Sequence, residues 1–94
     1  MDLVEMAACY AEAGGTALAE RAFTAALEAL EPVQSRPGLG SPRLGRLCDI
    51  PSLRARRVRG FPMQWFYFDR KDHLDVVRLL GDGQDIVAIL AADA

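Results

Sequence analysis

The chain has 94 residues, of which 51% are hydrophobic and 26% are charged, and its formal net charge is −2. This length fits one domain with a single core and leaves no room for separate catalytic and regulatory domains. No apolar run reaches the roughly 18 residues that a membrane span requires, and the N-terminus has no basic segment followed by an apolar core. We therefore expect one globular domain over residues 1–94, in the cytoplasm and without a membrane partner.

The cysteines and the histidine argue against a metal centre. Cys9 and Cys48 lie in segments of different character without CxxC spacing, and His73 is the single histidine. A zinc site needs about four ligands. We predict no metal ion and no cofactor, and expect both thiols to be reduced packing residues.

The charge is distributed unevenly along the chain. Residues 1–35 hold six acids against one arginine, residues 36–59 hold seven arginines against one aspartate, and residues 60–94 hold six aspartates against three bases. A basic middle in an acidic chain indicates an anionic partner, and arginine favours bidentate recognition of carboxylate or phosphate. The alternative, left open by the sequence, is that these arginines pair with acidic helices of the same chain.

The first third of the chain has the pattern of two helices. Asp2 can cap a first helix that ends near Ala13, and Gly14 and Gly15 then break the helical pattern. A second helix is predicted from about Thr16 to Glu31, where Pro32 ends it or kinks its last turn. Both helices have apolar faces, so the sequence predicts an antiparallel helical hairpin whose combined face must be covered.

The middle of the chain changes from helix to loop to strand. Residues 33–51 read as an irregular connector with a helical turn near residues 44–48. Residues Leu53 to Arg59 read as a first strand that is basic on both faces, which places it near a sheet edge. Gly60, Phe61 and Pro62 then turn the chain into a second strand.

The second and third strands are predicted to carry the core. The runs 63–68 and 74–80 are apolar, and the charged segment 69–73 between them is typical of a hairpin loop. One face of the second strand carries Met63, Trp65 and Tyr67, and the other carries Gln64, Phe66 and Phe68. With helices on one side only, aromatic area would stay exposed on the other, which indicates a protein partner. Arg78 on the third strand either contacts that partner or pairs with Asp75 or Asp82.

These elements define an α+β fold. It consists of an N-terminal antiparallel helical hairpin packed on a small, three- or four-stranded antiparallel sheet, with a short C-terminal helical turn from Asp85 to Leu90.

The order and content of these elements resemble the RelE/ParE superfamily of bacterial toxins, and in particular its ParE-like plasmid-stabilisation branch. The similarity covers nearly the whole chain. Its most specific parts are the arginine-rich strand and Gly-Phe turn into an aromatic strand over 57–68, and the strand with an arginine before apolar residues and a polar turn over 76–86. The resemblance implies a RelE/ParE-like fold.

The chain departs from the family pattern at three places. Gly81 stands where the family usually has a histidine, and Gln84 stands where it usually has an arginine. The family also usually begins with a strand before the first helix, whereas this sequence starts at that helix. Either the encoded start is short or the sheet lacks an edge strand, in which case an unpaired edge is open to a partner strand or a second copy.

The resemblance implies a toxin of a type II toxin-antitoxin module, neutralised by a cognate antitoxin and acting on DNA gyrase by binding. The assembly is then a homodimer or a toxin-antitoxin hetero-oligomer. No residue needs to perform bond chemistry for this activity, so we name no catalytic residues. The partner-binding candidates are arginines of the electrostatic surface and aromatic residues of the second strand: Arg56, Arg57, Arg59, Arg78, Trp65, Phe66 and Phe68.

Two alternatives remain at this point. The RelE-like branch cleaves messenger RNA on the ribosome, which requires a general base, a general acid and cationic stabilisation of the phosphate. Arg78 with Arg56 or Arg57 supplies charge, but His73 lies in the predicted hairpin turn and no tyrosine or histidine follows Leu80. The other alternative is an inactive member that only binds its partner.

Overall fold

The chain folds as an α+β domain in which a long helical segment precedes a small antiparallel sheet. The computed structural model describes residues 3–70, 72–83, 85–86 and 88–89. Its elements are, in chain order, α1 (Leu3–Ser35), a 3₁₀ turn (Pro37–Leu39), α2 (Arg43–Leu47), β1 (Leu53–Arg57), β2 (Met63–Asp69) and β3 (Leu74–Gly81). The predicted cap at Asp2, the family position Gln84 and the predicted end of the last turn at Leu90 lie outside the described residues.

The helical segment α1 is broken where the sequence predicts it. Gly14 (φ −147°, ψ 15°) and Gly15 (φ 82°, ψ −177°) have non-helical backbone angles. Ala7 and Phe23 line one surface depression, although a continuous helix would separate their Cα atoms by about 24 Å. The two halves of α1 therefore lie side by side as a helical hairpin.

Of the two roles predicted for Pro32, the one in which it ends the second helix near Glu31 is wrong. The helix continues past Glu31 through Pro32 to Ser35. Proline removes one helical hydrogen bond, but its own carbonyl still accepts one from the N–H of Arg36 at 3.0 Å. Val33 is fully buried, so packing of this last turn offsets the missing bond.

The three strands form one antiparallel sheet in the order β1-β2-β3. Leu53 pairs with Phe68 at one end of the β1–β2 ladder, and Arg57 pairs with Gln64 at the other. Beyond β1, a bridge joins Ser41 to Ala55, so the connector adds a residue pair to the described part of the sheet. The prediction that the basic strand lies near a sheet edge is confirmed.

The turns between the strands follow their sequence signals. β1 ends at Arg57, two residues before the predicted end, because the chain turns at once: Val58 N–H donates to the carbonyl of Met63 at 3.1 Å, and Gly60 has a φ of 84°. The β2–β3 loop is closed by a hydrogen bond from Arg70 N–H to the carbonyl of His73 at 3.1 Å.

The sheet is covered on both faces, which corrects the expectation of an exposed apolar face. On one face α1 packs against residues that include Val58, Met63, Trp65 and Leu79. On the other face, Leu53, Ala55, Phe66 and Leu80 are covered by side chains of the connector and of the C-terminal turn: Leu44, Cys48, Ile50, Ile86 and Ile89. The connector is thus the second layer of the core rather than a free loop.

The C-terminal turn is helical where it is described. Ile89 N–H donates to the carbonyl of Asp85 at 3.0 Å, and the Asp85 side chain accepts a hydrogen bond from Ala88 N–H at 3.2 Å. This side-chain contact caps the start of the turn. It places Ile86 and Ile89 against the sheet.

Both cysteines are free thiols, but only one is a packing residue. Cys48 is half-buried against the second sheet face, whereas Cys9 is exposed on α1. The packing role expected for Cys9 is therefore wrong.

Candidate functional site: an arginine corner and an adjoining groove

Three of the predicted arginines meet at one corner of the molecule. Arg56, Arg57 and Arg59 line a shallow depression of about 230 Å³ together with residues of α1. Arg56 is held there because its Nε donates to the carbonyl of Ala29 in α1 at 3.2 Å. We call these three arginines the arginine corner.

An ion pair joins the arginine corner to the residue that follows β3 at the same end of the sheet. Arg57 Nη2 lies 2.7 Å from Asp82 Oδ2, and its Nη1 lies 3.4 Å from Oδ1. The hydrogen bond to Asp82 and the charge of that carboxylate raise the pKa of Arg57. Asp82 is itself placed by its backbone N–H, which donates to the carbonyl of Pro62 at 2.8 Å.

The two ion pairs that the described structure shows for arginines of residues 36–59 involve aspartates of the sheet region. Besides the Arg57–Asp82 pair, Arg54 Nε lies 4.0 Å from Asp69 Oδ2. In both cases the partner comes from the sheet or its turns and not from the acidic residues of α1. Arg70 directly follows β2, and its guanidinium lies 4.5 Å from the ring centre of Phe68.

Arg78 is separate from the arginine corner. It lies on β3, opposite Phe66 of the central strand, so two strand spacings of about 4.8 Å each separate its backbone from β1. The β2–β3 ladder shifts register between Phe66 and Tyr67, which pairs Phe68 with Asp75. Because of this shift, Asp75 and Arg78 lie on the same face of the sheet.

Two of the three aromatic candidates, Trp65 and Phe66, are core residues rather than surface residues. Trp65 is 6% exposed and Phe66 is fully buried, while Phe68 is half-buried. Trp65 Nε1 donates to the carbonyl of Ala26 at 2.8 Å and so ties β2 to α1. The structure therefore gives Trp65 and Phe66 a packing role and no surface with which to contact a partner.

The groups suited to acid-base chemistry are dispersed. Tyr67 donates to the carbonyl of Pro37 at 2.6 Å and accepts from the N–H of Gly40 at 2.8 Å. Burial raises its pKa. His73 lies in the β2–β3 turn, as predicted, with Nδ1 2.7 Å from Asp72 Oδ1.

The pKa of Tyr10 on α1 is affected by Asp82, the acidic partner of Arg57. Its ring packs edge-to-face on Phe61, with ring centres 5.2 Å apart. Burial raises its pKa, and the charge of Asp82 raises it further. A phenol with a raised pKa is a poor general base near neutral pH.

A groove that the sequence did not predict adjoins the arginine corner on the other sheet face. It has a volume of about 520 Å³, lies between α2, β1 and the C-terminal turn, and is lined by residues that include Leu44, Leu47, Ala55, Arg57 and Ile86. We call it the α2 groove. The sequence carried one signal for it, the repeat Arg-Leu-Gly-Arg-Leu over residues 43–47, in which the two arginines are three residues apart on a short helix and the two leucines are as well.

A glycine sets how closely α2 approaches the sheet. Gly45 is buried, and a Cβ there would lie 2.5 Å from the carbonyl oxygen of Leu53. Only a residue without a side chain allows this contact. The close approach aims Leu44 at the sheet and leaves Leu47 on the outside, 67% exposed.

The chain matches no protein-family model, and no curated protein is a significant match. Across the described residues, no group of three or more histidine, cysteine, aspartate or glutamate side chains is placed to hold a metal ion. Nor does any helix in the described ranges have the length and apolar character to cross a membrane.

Proposed function

We propose that this chain is a ParE-like toxin of a type II toxin-antitoxin pair, held inactive by a cognate antitoxin and acting in the cytoplasm on DNA gyrase by binding. The observation that carries the proposal is the combination of a helical hairpin, a three-stranded antiparallel sheet and an arginine corner at the end of the first strand. The sequence resemblance supplies the family, and the exposed Arg57 and Arg59 supply a surface for an anionic or polar partner.

The dispersal of acid-base groups favours binding over RNA cleavage. Cleavage requires a general base and a general acid on either side of one phosphate, close to a stabilising cation. His73 lies in the turn at the opposite end of β2 from the residue that faces Arg57. The hydroxyl of Tyr67 is engaged by two backbone groups. The proposal therefore assigns no catalytic residue.

The first test is induction of this chain alone in a bacterial host, with DNA supercoiling and messenger RNA integrity followed in parallel. The proposal predicts growth arrest, loss of gyrase supercoiling and intact messenger RNA. Cleaved messenger RNA would replace it with the RelE-type nuclease. Normal growth would leave an inactive protein whose remaining property is binding.

Arginine variants test the surface itself. Arg57→Ala is expected to weaken both growth arrest and antitoxin affinity, and Arg78→Ala tests whether the opposite strand contributes. Arg21→Ala provides a matched control, because Arg21 is exposed on α1 outside the arginine corner. If Arg57→Ala and Arg78→Ala both behave like Arg21→Ala, these arginines are not part of the functional surface.

A further inference from the structure

The arginines of α2 and of the arginine corner lie along one continuous part of the surface. A depression over α2 is lined by Arg43 and Arg46. Arg43 also lines the α2 groove together with Arg57, and Arg57 in turn lines the depression of the arginine corner. Because neighbouring depressions share an arginine, the surface is continuous from α2, past the end of β1, to α1. We call it the arginine band, and its members are Arg43, Arg46, Arg56, Arg57 and Arg59.

Three arginines of the band are exposed and lack an acidic contact within the described residues. Arg43, Arg46 and Arg59 are exposed. In the part of the chain that the structure describes, no acidic side chain lies in ion-pair contact with any of them. Arg57 differs, because it is paired with Asp82 at 2.7 Å. The guanidinium groups of the first three are therefore the ones available to anions of another molecule.

Carboxylates beside the band reduce its charge. Asp82 offsets Arg57, Glu28 lines the depression of the arginine corner, and Asp49 lines a depression with Arg46. Five arginines against these three acids leave a net charge of +2. A surface of this kind binds anions with modest affinity and loses that affinity in salt.

The backbone that carries the band is held in place by the core. Ser41 and Ala55 exchange two hydrogen bonds, at 2.8 and 2.9 Å, which fix the connector to β1 just before α2. The contact of Gly45 with the carbonyl of Leu53 holds α2 itself against the strand. Binding therefore has to order the arginine side chains and not the segment that bears them.

We propose that the arginine band binds the phosphate backbone of duplex DNA, with Arg43, Arg46 and Arg59 each contacting a phosphate. The inference deepens the proposed function and rests on it for the source of the DNA, which is the segment that gyrase holds. Binding to DNA itself needs no gyrase and can be measured with the chain alone.

The side chains of the band favour a duplex over a single strand. Proteins hold single-stranded nucleic acid with a cationic groove and with aromatic side chains on which bases stack. No aromatic side chain of the described residues lines the three depressions. Contacts limited to phosphates are strongest with a dense polyanion, and duplex DNA carries one charge per about 1.7 Å of its axis. The planar guanidinium also matches phosphate geometry in a bidentate contact.

The test is fluorescence anisotropy of a labelled duplex of about 20 base pairs, titrated with the purified full chain. Three phosphate contacts predict a slope of log K against log salt of about −2.7, so the affinity should fall about 40-fold between about 50 and 200 mM salt. At the lower salt concentration we expect a Kd of about 10⁻⁶ to 10⁻⁴ M, as for other non-specific binding. Two duplexes of unrelated sequence should bind equally, because phosphate contacts carry no sequence information.

Alanine variants locate the phosphate contacts. Arg43→Ala and Arg46→Ala should each weaken binding of both duplexes to the same extent and reduce the size of the salt slope by about 0.9. Arg21→Ala is the matched control, because Arg21 is exposed on α1 outside the band. It should leave both the affinity and the slope unchanged.

Two further variants should strengthen binding. Asp82→Asn removes the carboxylate that pairs with Arg57, and Glu28→Gln removes the carboxylate beside the arginine corner. Each leaves one more positive charge on the band, so the salt slope should become steeper. A gain of affinity cannot result from a loss of folding, which keeps the inference testable if an arginine variant is unstable.

Four results would overturn the inference. They are a salt-independent affinity, equal binding of a single strand of the same length, equal competition by poly-glutamate, and arginine variants that behave like Arg21→Ala. Equal competition by poly-glutamate would identify the band as a site for an acidic protein instead. DNA binding without growth arrest removes the toxin proposal and keeps this one, and growth arrest with loss of supercoiling but no DNA binding does the reverse.

Discussion

The hydroxyl of Tyr67 occupies the space that a side chain at Gly40 would need. The phenolic oxygen accepts the Gly40 N–H at 2.8 Å and donates to the carbonyl of Pro37 at 2.6 Å. Gly40 has φ −69° and ψ 150°, angles open to any residue. A Cβ there would nevertheless overlap the hydroxyl and lie 2.7 Å from Tyr67 Cζ. Glycine is required at this position for space and not for backbone freedom.

We therefore expect Gly40→Ala to lower the free energy of unfolding by about 1–3 kcal/mol, because the added methyl group must displace a buried ring. Gly38→Ala is the matched control. Nothing lies within 4 Å of a Cβ at Gly38, so its effect should stay within about 0.5 kcal/mol. Denaturant unfolding followed by the fluorescence of Trp65, the single tryptophan, measures both. Equal effects in the two variants would contradict the steric argument.

Ionisation of the Tyr67 hydroxyl makes the free energy of unfolding depend on pH in the alkaline range. Burial raises the pKa of Tyr67 above its ordinary value of 10.0. Above about pH 10 the unfolded chain therefore loses this proton while the folded chain retains it, and the free energy of unfolding falls as pH rises toward the folded-state pKa. One such group changes the free energy of unfolding by at most about 1.4 kcal/mol per pH unit.

Tyr67→Phe should remove this part of the slope. It should also cost about 1–3 kcal/mol at neutral pH, because the buried N–H of Gly40 and the carbonyl of Pro37 lose their partner. Tyr10→Phe provides the comparison, since the pKa of Tyr10 is raised as well. Unfolding curves between about pH 8 and 11 test the sign, and a slope that Tyr67→Phe leaves unchanged would refute the assignment.

The sequence predicted those parts of the fold that depend on neighbouring residues. The break at Gly14 and Gly15, the β2–β3 turn and the basic edge strand follow from local backbone preference and from alternation along one strand. The two-sided cover of the sheet did not follow, because it depends on Leu44 and Ile86, residues far apart in the chain, reaching one face of the sheet. Apart from the short repeat over residues 43–47, a connector rich in proline and glycine gives no periodic signal for such packing.

The candidate site was predictable to a similar degree. Local charge density identified Arg56, Arg57 and Arg59, and the structure brings these three together. The partner of Arg57 is 25 residues away in sequence, and the sequence predicts Asp82 only as a candidate partner of Arg78. The face on which Asp75 lies depends on a register shift in the β2–β3 ladder, for which alternation alone gives no sign. Long-range pairing and irregular register set these limits.

Gly15 contrasts with Gly40, because here the backbone angle is the constraint. Its φ of 82° and ψ of −177° lie in a region that is essentially restricted to glycine. A Cβ at Gly15 would meet no atom within 4 Å. Gly15→Ala should therefore cost about 1–3 kcal/mol of unfolding free energy through backbone strain alone.

Gly83→Ala is the control for this prediction. A Cβ there would also meet open space, and its φ lies outside the positive range, so its effect should remain within about 0.5 kcal/mol. Circular dichroism on the Gly15 variant should show whether the two halves of α1 straighten into one continuous helix. Equal stability of the two variants would show that the break tolerates side chains.

The strength of the Arg57–Asp82 ion pair distinguishes what Arg57 contributes to folding from what it contributes to binding. The two side chains are 59% and 39% exposed, and solvent screens pairs of this kind. A double-mutant cycle with Arg57→Ala and Asp82→Ala should give a coupling free energy of about 0.2–1 kcal/mol. The Arg70–Asp75 pair, at 4.0 Å, provides a comparison with weaker expected coupling.

Salt dependence identifies the origin of the coupling between Arg57 and Asp82. The coupling should shrink between about 0.1 M and 1 M salt, where the Debye length falls from about 10 Å to about 3 Å. Because the pair contributes so little to folding, any loss of partner affinity in Arg57→Ala well above this range reflects a contact with the partner. A coupling of several kcal/mol would instead make Arg57 a structural residue and would weaken its assignment to the binding surface.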